Sequence, residues 1–137
     1  MRLLIDANIL LDVLQNREPY VHDSANIWKL CETLQDEGHV TVLSFANLVY
    51  VMRKELDPEM IEDVYKKLNL IFQFTELSIS DTAKAVEMKW DDFEDSLQCV
   101  AAERLKAEYI ITRNVENFLN SRIMALTPSE YLAKRRV

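Results

Sequence analysis

The sequence predicts an α/β chain, a single three-layer domain over residues 1–137 built on a mainly parallel central sheet. Three observations carry that expectation. Short apolar, β-branched runs alternate with segments of helical periodicity, as strand–helix–strand units require. The hairpin dipeptides Asn-Gly and Asp-Gly are absent, so consecutive strands are expected to be joined by helices instead of tight turns. Several of the apolar runs also end on polar residues, and in open α/β sheets ligands sit at the carboxyl ends of the strands.

In chain order, Arg2 to Ile5 reads as a buried strand and Asn8 to Leu14 as a short helix. "NREPY" is a turn. From His22 to Glu37, Ile27, Leu30, Cys31 and Leu34 form an i, i+3, i+4, i+7 stripe, and Gly38 is expected to stop that helix. "HVTVLS" is β-branched and predicts the second strand. Ser44 is a suitable N-cap for a helix whose stripe is Phe45, Leu48, Val49 and Met52. Asp57 and Pro58 form an N-cap and N1 pair for a helix that aligns Ile61, Val64, Leu68 and Ile71. "FTELSI" suggests a short strand, followed by a helix from about Asp81 to Lys89. Asp92 caps a helix bearing Leu97, Val100, Ala101 and Leu105. "YIIT" and "RIMALT" are further buried strands, and Thr127 with Pro128 opens the last helix.

Composition narrows the function classes. A hydrophobic content of 49% with 28% charged residues is that of an ordinary globular protein. No stretch approaches the roughly 20 apolar residues that span a bilayer, and Asp6 interrupts the only N-terminal apolar run, so a cytoplasmic protein is expected. Cys31 and Cys99 lie in apolar patterns without metal-ligand spacing, as buried reduced thiols do. The single glycine excludes Gly-rich phosphate loops. A net charge of −7 argues against a passive nucleic-acid binder. It leaves room for an enzyme whose carboxylates hold a metal.

Singly, the polar residues have ordinary explanations. Asp6 caps a helix, Asp95 is an N3 carboxylate, and Asn8, Asn47, Asn114 and Asn117 suit turns or caps. Asp12, Asp91 and Glu103 read as solvated charges, and His22 and His39 as surface residues. Together they read differently. Asp6, Ser44 and the Thr112, Arg113, Asn114 run are placed at strand ends, and "DDFEDSLQ" puts four carboxylates within five residues of a helix start. Carboxylates brought together repel, and a hard cation such as Mg²⁺ or Mn²⁺ is the usual compensation. No Ser-His-Asp, Cys-His or CxxC arrangement competes. Asn8 also removes the second acid of a "DxD" phosphatase motif.

"LLIDANILLDVL", "SFANLVYVMRKEL", "DFEDSLQCVAAERLKAEYIITRNVENF" and "ALTPSEYL" closely resemble, in order and spacing, the PIN-domain family, and the likeness spans essentially the whole chain. The resemblance implies a Rossmann-like α/β/α fold and an Mg²⁺- or Mn²⁺-dependent endoribonuclease. VapC-type toxins of bacterial toxin–antitoxin pairs are among the relatives, so it also implies an RNA substrate, an antitoxin partner and a homodimer. Carried over by motif, Asp6 is the first acid, with Asn8 as supporting polar ligand. Asp95 is the third acid, making these two the expected catalytic and metal-binding residues, with Glu94 beside Asp95. Thr112 opens the "TRN" motif with Arg113 and Asn114.

The chain departs from the family pattern at several positions. The second acid falls near Asn47, with Ser44 one turn earlier, while Asn114 and Asn117 stand where relatives often carry Asp. Glu116 precedes Asn117 as a substitute. Arg53, Lys54, Arg113, Lys134, Arg135 and Arg136 are the residues offered to an RNA backbone. The departures define the alternative, a non-catalytic PIN-like module that binds RNA or protein through a degenerate metal site.

Overall fold

A computed structural model describes residues 1–135; Arg136 lies outside the described residues. Strand β1 (Arg2–Ile5) leads into α1 (Ala7–Leu14) and α2 (Val21–Glu32). Strand β2 (Glu37–Thr41) follows, then α3 (Val42–Val51), α4 (Pro58–Ile71) and β3 (Gln73–Thr75). Helices α5 (Ile79–Met88) and α6 (Phe93–Leu105) precede β4 (Tyr109–Ile111) and a 3₁₀ turn over Val115–Phe118. Strand β5 (Met124–Leu126) and α7 (Pro128–Arg135) close the chain. The sheet order is β3-β2-β1-β4-β5 and every pairing is parallel. The expected α/β class with a parallel central sheet is observed.

Alternation along the strands produces the three layers. Successive side chains of a strand point to opposite faces. Leu3, Ile5 and Ile111 join one core with Leu10, Ile27, Leu48, Leu68 and Tyr131, drawn from α1, α2, α3, α4 and α7. Leu4 and Ile110 face the other way, against Ala102 of α6, Phe118 and Ala125. From Leu3 to Ile5 strand β1 is buried on both faces and apolar, so the next polar position after Arg2, Asp6, falls at the sheet's carboxyl edge.

Several boundaries differ from the expectation for identifiable reasons. Helix α2 ends at Glu32, and Gly38 stops nothing: it lies inside β2. A Cβ there would come within 2.7 Å of the Cys31 Sγ and 2.8 Å of the Phe72 ring, so only glycine permits that close approach. The second strand ends at Thr41, whose hydroxyl accepts from the Ser44 amide and caps α3 in place of Ser44. Helix α5 starts at Ile79 because Ser78 and Asp81 form a capping box. His39 is buried in β2 beside Thr75, against the surface role expected for it. Both cysteines are free and buried, as expected.

Asp36 ties the two ends of the chain together. Its buried carboxylate accepts from the Met1 ammonium at 3.0 Å, the Tyr131 hydroxyl at 2.7 Å and the Arg135 guanidinium at 2.9 Å. These donors hold the Asp36 carboxyl below the ordinary carboxylate range despite its burial. Arg135 is therefore committed to the fold and not presented to a ligand. Among the described residues no helix is long and apolar enough to cross a membrane.

Candidate functional site

Asp6 leaves β1 in an extended conformation and caps α1, one carboxylate oxygen accepting from the Ala7 amide at 2.8 Å. Its other oxygen accepts from the Thr112 hydroxyl at 2.8 Å, across the parallel β1–β4 pairing. Thr112 is fully buried and its hydroxyl also accepts from the Asn114 amide at 3.0 Å. Asn8 lies against both, its side-chain amide 3.4 Å from Asp6 and from Thr112, while its carbonyl accepts from the Arg113 amide. The "DAN" and "TRN" segments thus interlock at adjacent strand ends.

The second acid comes from α6. Asp92 caps that helix, accepting from the Asp95 amide at 3.1 Å, which turns the first-turn carboxylates toward Asp6. Asn117, on the 3₁₀ turn, donates to Asp95 at 3.0 Å, and Asn47, on α3, donates to Glu94 at 3.0 Å. A cleft of about 380 Å³ results, lined by Asp6, Asn8, Asn47, Asp92, Asp95 and Asn114, with Glu94 and Tyr50 at its sides. Cavities of about 680 Å³ and 610 Å³ are larger, but the first opens at the opposite, amino end of the strands. The cleft is the one built from the convergent polar groups.

The carboxylates show the strain of being brought together. Burial raises the Asp6 carboxyl, partly offset by its bonds to Thr112 and Ala7, and the charge of Asp92 adds to the rise. Asp95 is pushed up to about 7, by burial first and the Asp6 charge second, with the Asn117 hydrogen bond opposing. Neither carboxylate has a cationic partner among the described residues. A half-buried, uncompensated acid pair with hard oxygen donors fits a Mg²⁺ or Mn²⁺ ion. The set is sparse: among the described residues no three His, Cys, Asp or Glu side chains gather closely enough for a fuller metal cage.

Some expected residues lie elsewhere. Ser44 is buried beneath the cleft, where Gln98 donates to it at 2.8 Å and accepts from Thr41 at 2.6 Å. Glu116 lines the neighbouring groove beside Trp90, not the cleft. Asp12, read as a solvated charge, is fully buried: Ser24 donates to it at 2.8 Å and Arg113 at 3.1 Å. That ion pair and a stack on Tyr20, 4.1 Å from the ring centroid, occupy the guanidinium offered to RNA. Arg53 does stand at the rim, 4.2 Å over the Tyr50 ring, with Lys54 exposed beside it, but Lys134 sits over Tyr109 at the amino end of the strands, away from the cleft.

Sequence reasoning undervalued Asp92, treated only as a cap, and missed Gln98 and Tyr50. Gln98 falls three residues after Asp95 in "FEDSLQ", on the same helix face, and that spacing was the available signal. Tyr50 lies within "SFANLVYVMRKEL", three residues after Asn47, and that spacing was its only signal.

Comparisons with known proteins bear on the family and the fold. The family model described as the PIN domain matches residues 2–116. No curated protein matches the chain. Among solved structures, a toxin–antitoxin complex from Klebsiella pneumoniae superposes with a TM-score of 0.69 at 18% identity, covering 91% of this chain and 96% of that one. VapBC2 from Rickettsia felis, bound to a DNA fragment from its promoter, gives 0.68 at 14% identity, covering 93% and 98%. VapC20 of Mycobacterium tuberculosis, a sarcin-ricin loop cleaving toxin, gives 0.64 at 7% identity, covering 79% and 86%. The likeness to these structures is one of fold.

Proposed function

This chain belongs to the PIN-domain family, and from that premise we propose that it is a divalent-metal-dependent endoribonuclease, the toxin of a toxin–antitoxin pair. The observation that carries the reading is the uncompensated pair of Asp6 and Asp95 facing one cleft at the carboxyl ends of the strands. The family and the toxin–antitoxin complexes among the structural neighbours support it. The RNA-cleaving neighbour supports RNA as substrate.

Asp6 and Asp95 would hold the cation, with the Asn8 and Asn114 side chains beside them. A bound Mg²⁺ or Mn²⁺ supplies an acidified water and the positive charge that an acidic cleft needs to accept a phosphodiester. Thr112 and the Ala7 amide fix the Asp6 carboxylate, and Asn117 fixes Asp95, so both oxygen sets are oriented before a ligand arrives. Asn47 holds Glu94 against the cleft wall. Arg53 at the rim, with Lys54 beside it, would contact the RNA backbone, whereas Lys134 lies over Tyr109 at the opposite end of the sheet. An antitoxin partner, a homodimer and a cytoplasmic location belong to the same proposal.

One observation favours the alternative of a non-catalytic module: Asn47, Asn114 and Asn117 contribute amides where the family resemblance implies acids, and among the described residues no three acids gather in a way that could hold a metal. Incubating the pure protein with structured RNA in Mn²⁺, Mg²⁺ or EDTA separates the two. The nuclease reading expects cleavage in either metal that is lost in EDTA and in Asp6→Asn. RNA retention without cleavage in any metal supports the module.

A further inference from the structure

Behind the cleft lies a separate pocket of about 320 Å³, formed where the start of α2 meets the start of α7. Pro19, Tyr20 and Pro128 give it apolar walls, and Asp23, Arg113 and Asn114 give it polar ones. Its size and its mix of flat apolar surface with few polar groups are those of a small-ligand site. Asn114 borders both this pocket and the Asp6–Asp95 cleft, so the two are neighbours across one residue.

Charge decides the kind of ligand. Among the described residues Arg113 is the pocket's only cation, and it is paired with the buried Asp12. Asp23 is half-buried and has no ion-pair partner among the described residues. One cation set against two carboxylates disfavours a phosphate. A neutral planar group with N–H donors is favoured instead: it would stack on the preformed Tyr20–Arg113 pair and donate to Asp23. Tyr20 keeps 45% of its surface exposed for such a contact. Among the bases, guanine alone presents an imino and an amino N–H side by side, matching the two oxygens of a carboxylate.

We propose that this pocket is a guanine-binding subsite that selects the RNA position next to the cleavage point. The proposal rests on the ribonuclease reading for the strand that carries the base. Recognition of the base itself needs neither metal nor phosphate.

The test uses that independence. Amide chemical shifts of the metal-free protein are followed while guanosine, inosine, adenosine or uridine is added. Guanosine should move the Tyr20, Asp23 and Asn114 amides. Inosine, which lacks the amino group, should bind roughly tenfold more weakly, and Asp23→Asn should erase the difference. Equal responses to all four nucleosides, or none at these amides, would overturn the proposal. In a second arm, a mixed-sequence single-stranded RNA is cut in Mn²⁺. Cuts at a fixed offset from G that scatter in Asp23→Asn support the subsite. Efficient cutting without a G preference removes the subsite and leaves the nuclease reading standing. Guanosine-selective shifts without any cutting remove the nuclease reading and leave the pocket standing.

Discussion

Asn117 donates its side-chain amide to the Asp95 carboxylate at 3.0 Å, at a position where the family resemblance implies an Asp. The bond holds Asp95 in place while adding no charge to a pair already short of compensation. An amide at this position therefore eases the metal-free state and would weaken the proposed cation site.

Replacing that amide should reverse both effects. Asn117→Asp places a third carboxylate within reach of Asp95, which should lower metal-free stability and tighten Mn²⁺ binding. The gain is about 1–2 kcal/mol for a carboxylate facing the ion at an effective dielectric near 20. Asn114→Asp should act in the same direction, since Asn114 lines the cleft. Calorimetric titrations of the parent and both variants check this, and unchanged affinity in both would remove these positions from the metal site.

The Asp95 carboxyl at about 7 implies a pH dependence of definite sign. Its folded value lies above the unfolded carboxylate range, so the native state binds more protons between about pH 4 and pH 7 and stability falls as pH rises through that window. Asp95 is half-exposed and coupled to Asp6, so the loss should be no more than about 2 kcal/mol. Asp95→Asn should flatten the slope and leave the metal-free protein as stable or more stable at pH 8. Urea melts at several pH values decide it. A marked destabilisation of the variant at pH 8 would mean that Asp95 serves chiefly as a helix-start residue.

Asp12 and Arg113 show what was and was not legible in the sequence. Strand and helix types were readable because apolar periodicity reports directly on which faces are buried. The acid pair was readable because "DAN" and "FEDSLQ" each carry a carboxylate at an element's edge. The Asp12–Arg113 pair was not, because it joins residues 101 apart in sequence, and a buried charge is spelled like an exposed one until its partner is known. The same limit hid the role of Gly38: its one distinguishing feature is the pair of neighbours, Cys31 and Phe72, that a Cβ would strike.

Removing one member of that pair should be costly. Asp12→Ala leaves a guanidinium, a quarter exposed, without its counter-charge and Ser24 without its acceptor. A loss of about 2–4 kcal/mol is expected, near the lower end for broken buried pairs because Arg113 can still reach water. Denaturant melts read it directly, and a change under about 0.5 kcal/mol, the level of an ordinary surface substitution, would contradict the burial argument.

Gly38→Ala should cost about 1–3 kcal/mol, since the added methyl meets the Cys31 sulfur and the Phe72 ring at distances no relaxed contact allows. Cys31→Ala in the same chain should recover part of that loss by opening space on one side. A single variant as stable as the parent, measured by thermal melting, would show that β2 shifts freely there.

The central claim is that Asp6 and Asp95 together hold one divalent cation, and Mn²⁺ titration calorimetry at pH 8 on the parent, Asp6→Asn and Asp95→Asn tests it most directly. The account predicts saturable binding by the parent, loss of that heat in both variants, and weaker parent binding at pH 5.5, where the acid pair retains protons. Binding of equal strength in all three proteins would place the metal elsewhere and contradict it.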